Sequence, residues 1–111
     1  MNEPRWKQNP TVSQVWVMAA FASAKDGVLS CRKVAHLLWP NNYSRCAAQS
    51  MGGYLTRLSK EGMLSRLGRV EGKVSFAMSP EARKVWEENG KPVIVDTGKA
   101  MRLKFESRAA G

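Results

Sequence analysis

Ser44 to Gly62, SRCAAQSMGGYLTRLSKEG, reads as one helix with two unlike faces. Ala48, Met51, Leu55 and Leu58 recur at steps of three, four and three, so they fall on one apolar stripe. At about 100° per residue, the far side carries Arg45, Gln49, Gly53, Thr56, Arg57 and Lys60. The helix holds no acid before Glu61. Cations can meet phosphates, and Arg and Gln can each make paired bonds to base edges, which is what reading duplex DNA requires. A plain solvated face would carry the same residues, so the flanking chain has to decide.

Upstream, Ser30 is positioned to cap a helix in which Cys31, Val34, Leu37 and Leu38 follow at helical spacing. Trp39-Pro40 ends it, because the residue before proline is pushed out of helical geometry. Asn41-Asn42-Tyr43 is a turn, and Ser44, or alternatively Asn42, caps the long helix. Short helix, turn and longer helix make a helix-turn-helix arrangement, whose second helix enters the major groove. Earlier still, Thr11 and Gln14 have capping-box spacing. Val12, Val15, Trp16, Ala19 and Ala22 mark one apolar face there, widened by Met18 and Phe21, as in a central helix. Asp26-Gly27 is a stop, and Val28-Leu29 suffice for one rung of a small sheet.

Downstream, Gly62 closes the helix. Met63–Leu67 and Val74–Met78 are strand candidates around a hairpin loop, Gly68-Arg69-Val70-Glu71-Gly72-Lys73. A basic hairpin directly after a reading helix has the layout of a wing. Ser79-Pro80 starts a last helix with Ala82, Val85 and Trp86 inward and Asn89-Gly90 at its end. It is the acidic segment, with Glu81, Glu87 and Glu88 against Arg83 and Lys84. Residues 91–111 fit either a second hairpin, docked on the body or pairing with another subunit, or a basic tail.

The 111 residues suit one domain, and the net charge of +9 points to a polyanionic partner. No run approaches the roughly 18 apolar residues of a membrane span. The N-terminus, MNEPRWKQNP, lacks an apolar signal core, so a cytoplasmic, nucleoid-associated protein is expected. Cys31, Cys46 and His36 do not have metal-ligand spacing, so no metal and no cofactor is expected. Gly52-Gly53 lies within the helix without a following Lys-Ser/Thr, and the single histidine has no evident nucleophile or acid around it. An enzyme is not expected.

Two passages resemble the winged helix-turn-helix domain of prokaryotic and phage regulators, loosely the MarR-like group. Leu55-x-x-Leu58-x-x-Glu61-Gly62-Met63-Leu64-x-Arg66 is similar to that group's passage from recognition helix into wing. Phe76-Ala77-Met78-Ser79-Pro80-Glu81-Ala82-Arg83 is similar to its return into the following helix. The resemblance implies a mostly α fold with a small β-hairpin (α+β), arranged as a flexible arm at 1–10, a winged domain at 11–90 and a basic extension at 91–111. It implies a double-stranded DNA partner, with base reading by Arg45, Gln49 and Ser50. Tyr43, Ser44 and Arg57 would contact phosphates, and Arg69 and Lys73 would lie on the wing. The expected function is transcription regulation by a homodimer, with no small-molecule ligand. MarR-type proteins have long dimerising helices at both ends, and this chain has neither. The alternatives are a replication, partition or RNA-binding accessory module, or a winged-helix protein-interaction module.

Overall fold

The computed structural model describes residues 5–38, 45–70, 72–96 and 101–105, with all of their side chains except those of 45–48, 70 and 96. Thr11 opens α1 (Val12–Ser23) through the expected capping box. Gln14 N–H donates to Thr11 Oγ1 at 3.1 Å, and Thr11 N–H donates to Gln14 Oε1 at 2.8 Å. The buried side of α1 differs from the expected stripe. Val12 is 74% exposed, whereas Val17, Met18, Ala19, Ala20 and Phe21 are all buried. A consecutive buried run cannot belong to one helical face, so the second half of α1 is enclosed all round. It packs against α2, α4, β3 and β4, as a central helix should.

α1 ends at Ser23, ahead of the Asp26-Gly27 stop. Those two residues shape the turn instead. Asp26 Oδ1 accepts Val28 N–H at 3.1 Å, and Gly27 takes φ +73°. β1 (Val28–Ser30) supplies the expected rung, pairing antiparallel with Ala77, Phe76 and Ser75 of β3 (Lys73–Met78). Ser30 also caps α2 (Cys31–Leu38), its Oγ accepting Lys33 N–H at 3.3 Å.

α3 (Arg45–Lys60) packs on α2, with Met51, Leu55 and Leu58 buried as the stripe requires. The expected turn at 41–43 and the caps Ser44 and Asn42 lie outside the described residues. At the far end, Met63 N–H donates to Leu58 O at 3.0 Å and Gly62 N–H to Ser59 O at 3.2 Å, with Gly62 at φ +85°. This is a Schellman closure, and the buried Leu58 and Met63 give it an apolar clasp.

β2 (Leu64–Val70) follows at once and pairs with β3, giving the sheet order β1-β3-β2. The expected loop at 68–73 is therefore too long. Gly68, Arg69 and Val70 pair with Ser75, Val74 and Lys73, and the ladder shifts register between Arg66 and Gly68. A bulge at Leu67 precedes Gly68, which pairs within the ladder rather than in a loop.

Ser79 caps α4 (Pro80–Glu88) by accepting Ala82 N–H at 3.1 Å, with Ala82 and Val85 buried. The open choice for the C-terminal segment resolves as a hairpin of β4 (Pro92–Asp96) and β5 (Met101–Phe105), docked on the body. Trp86 Nε1 donates to Pro92 O at 2.8 Å, and Ile94 N–H donates to Ser23 Oγ at 3.1 Å. At the other end, Trp6 is fully buried in a 3-10 turn (Arg5–Lys7), and its Nε1 donates to Glu61 O at 2.9 Å. Lys7 Nζ lies 2.7 Å from Glu81 Oε2. The fold is α+β, and among the described residues it has two antiparallel sheets: the expected hairpin with its added rung, and the second hairpin that was one of the alternatives for 91–111.

Candidate nucleic-acid interface

Turning Met51, Leu55 and Leu58 inward leaves Gln49, Ser50, Gly53, Thr56, Arg57 and Lys60 exposed on the opposite side of α3. Thr56 Oγ1 donates to Gly52 O at 2.8 Å and Ser59 Oγ to Thr56 O at 2.9 Å, so these hydroxyls bond within the helix. Gln49, Ser50, Arg57 and Lys60 are then the groups that project. Arg57 has a defined seat, with its guanidinium carbon 5.3 Å from the Tyr54 ring centroid. Tyr54 is half-buried against the core. Burial raises its phenol above the ordinary value, opposed by a hydrogen bond with Thr11 and by the Arg57 charge, while Glu61 adds to the rise. The cap of α1 and the outer face of α3 therefore meet at Tyr54.

The two central glycines differ. A Cβ on Gly52 would lie 3.6 Å from Cys31 Sγ, so Gly52 faces α2, whereas Gly53 has nothing within 4 Å. Cys31 is partly buried against the core and His36 is exposed. No three His, Cys, Asp or Glu side chains gather among the described residues. None of the described helices is long and apolar enough to cross a membrane.

The Schellman turn at Gly62 leads straight into the hairpin, so α3 and β2 are in contact. From Ser65 to Arg69 every residue is exposed, as are Gly72 and Lys73. Arg66 and Arg69, paired with Phe76 and Val74, are exposed on one face of the hairpin and Lys73 on the other, and no described residue of β2 or β3 is acidic. The exposed acids Glu81, Glu87 and Glu88 lie on α4, which packs against α1 and the Trp6 turn.

Of the residues expected to contact DNA, Gln49, Ser50 and Arg57 share the exposed side of α3, while Arg69 pairs with Val74 and Lys73 with Val70, on opposite faces of the hairpin. Arg45 begins α3. Its side chain, and all of Tyr43 and Ser44, lie outside the described residues. Lys60 and Arg66 were not assigned to the site from sequence. They are exposed near the junction of helix and hairpin, and the helical spacing of Lys60 from Arg57 and Thr56 was the available signal. An open groove of about 1030 Å³ borders the same face, where Trp16, Leu38, Met51 and Met101 lie beside Ser50 and Arg57.

No family model matches the chain, and neither does any curated protein or solved structure.

Proposed function

We propose that this chain is a winged helix-turn-helix protein that binds double-stranded DNA sequence-specifically and acts as a small transcriptional regulator at the nucleoid. The observation that carries the reading is the continuity of two acid-poor basic surfaces. The outer side of α3 runs through one tight closure into a hairpin that exposes Arg66, Arg69 and Lys73. The element order supports it as well, with α1, β1, α2, α3, β2 and β3 in sequence and β3 central in the sheet. In this reading α2 and α3 form the helix-turn-helix. α3 lies in the major groove, with Gln49 and Ser50 on base edges, and the hairpin grips the backbone as a wing. Operator occupancy is the regulatory act, and two copies on a two-fold site match half-sites about one turn apart.

The test is a duplex selection run at two salt concentrations. An enriched motif and strong salt dependence are expected. On that motif, Gln49→Ala should cost about 1–3 kcal/mol and blur one base pair, whereas Lys73→Ala should weaken all sequences alike and flatten the salt slope by about one unit. No enriched motif, with both variants binding like wild type, would sink the assignment.

A further inference from the structure

The β2–β3 hairpin carries one side chain that DNA gripping by cations leaves unused. Leu67 is 47% exposed in mid-strand, between Arg66 and Arg69 in a wholly exposed run. The ladder sets its position. Arg66 pairs with Phe76 and Gly68 with Ser75, so Leu67 is the extra residue of the bulge, without a partner across the strand. Gly68 follows at φ +80° with open space beside it. A bulge re-aims a side chain and sharpens the local twist. β2 is also an outer strand of the sheet, so among the described residues no further strand covers the bulge. Edge strands usually put a charge or a proline at such an opening. Here the chain puts a leucine there, flanked along the strand by the exposed Arg66 and Arg69. A duplex groove offers the matching chemistry, with phosphates on its rims and, where a step is opened, apolar base faces between the edges.

We propose that Leu67 is an apolar wedge that enters the minor groove beside the α3 contact, partly unstacks one base step and kinks the duplex. The proposal rests on the DNA-binding reading above. Apolar side chains inserted between base steps act in this way. Pyrimidine–purine steps unstack most readily, so the wedge adds a preference for TA or CA/TG at a position that no hydrogen bond reads.

The experiment uses the duplex recovered by selection, with a dye at each end and 2-aminopurine placed in turn at each step flanking the motif. Wild type is expected to shorten the end-to-end distance and to brighten 2-aminopurine at one flanking step. Leu67→Ala is expected to bind about tenfold more weakly, to leave the duplex straight and to leave the probe dark at that step. Leu67→Met should restore both signals, and Arg69→Ala should weaken binding while the probe still brightens. Because Leu67 is exposed, its alanine variant should keep the wild-type Tm and far-UV spectrum. Two results overturn the wedge while leaving the DNA reading intact: a Leu67→Ala variant that kinks and unstacks like wild type, or a wild-type complex that is straight and stacked. If wild type binds no duplex at all, both readings fall. If Leu67→Ala disturbs only self-association, the wedge is again overturned.

Discussion

Both hairpins of this molecule carry exposed cations, but they are held in different ways. β2–β3 is anchored at its root, where Leu64 and Phe76 are buried and Ser79 N–H donates to Met63 O at 3.1 Å. Beyond the root, Ser65 to Arg69 are all exposed. β4–β5 is instead laid along the body. β4 packs on α1, Ile94 and Pro92 are tied to Ser23 and Trp86, and Val93, Ile94 and Val95 are half-buried. Its exposed cations, Arg102 and Lys104, alternate with the half-buried Met101 and Leu103 on β5. Alternation of this kind marks a strand with one face committed to packing. Charge alone therefore does not set the two hairpins apart; a root held by core side chains and a fully exposed run along β2 do.

The sharpest way to break this comparison is at the root. Phe76 is buried and is shared by the pairings with β1 and β2. Phe76→Ala should cost about 3–5 kcal/mol in urea denaturation, a large part of a small domain's stability. Ile94→Ala, on a half-buried strand, should cost about 1–2 kcal/mol. Equal losses would mean that the second hairpin is as integral to the core as the first.

The next effect concerns DNA. If the first hairpin is the proposed wing, replacing Arg69 and Lys73 together by alanine should lower the slope of log affinity against log salt by about two units, from the loss of about two phosphate contacts. Replacing Arg102 and Lys104 together should leave the slope unchanged. A matching fall in the second pair would put β5 on the DNA as well and dissolve the distinction between the hairpins.

The features legible in the sequence are those set by a few neighbouring residues. Thr11 with Gln14, Ser30, and Ser79 with Pro80 announce helix starts and Gly62 a helix stop by local chemistry, and each bounds a helix as expected. The inward stripe of α3 was legible for the same reason, because period and composition agree. What was not legible depends on distant partners. The partner that holds Trp6, the Glu61 carbonyl, lies far along the chain, and α1 is enclosed by elements that follow it. A stripe drawn on α1 alone therefore placed Val12 inside. The hairpin bulge was hidden because Gly68 looks like a turn residue, and only the cross-strand register shows that Arg69 and Val70 continue the ladder. In the candidate site, the residue types of α3 were readable. The seat of Arg57 on Tyr54, and the tie from Tyr54 to Thr11, needed the packed α1.

Gly53 sharpens the comparison on the helix that leads into the first hairpin. It lies in the interior of α3, exposed, with nothing within 4 Å of an added Cβ. Gly53→Ala should therefore stabilise the protein by about 1 kcal/mol. If α3 lies in a groove, the same methyl group meets DNA, and affinity should fall while Tm rises. A rise in both would mean that this part of α3 faces solvent in the complex.

The smallest expected effect compares the aromatic seats behind the two hairpins. Trp86 carries Arg83 at 5.8 Å and ties β4 through its indole, and it has no proton to lose in the ordinary pH range. Tyr54 carries Arg57 on the helix leading into β2, and burial raises its phenol pKa despite the opposing Thr11 bond and Arg57 charge. The folded state then holds this proton more tightly than the unfolded chain does. Below the ordinary tyrosine value of about 10 both states keep it, and the contribution to stability is fully present. As pH rises past that value towards the raised one, the unfolded chain ionises first and stability falls. Tyr54→Phe removes the Thr11 bond, so it should be slightly less stable than wild type at neutral pH and should lose less above about pH 10. Denaturant midpoints for the two proteins from pH 8 to 11 would therefore converge. Parallel curves would mean that the phenol is no more protected in the fold than in the unfolded chain. Arg57 would then rest on an open ring, with α1 playing no part in placing the α3 surface.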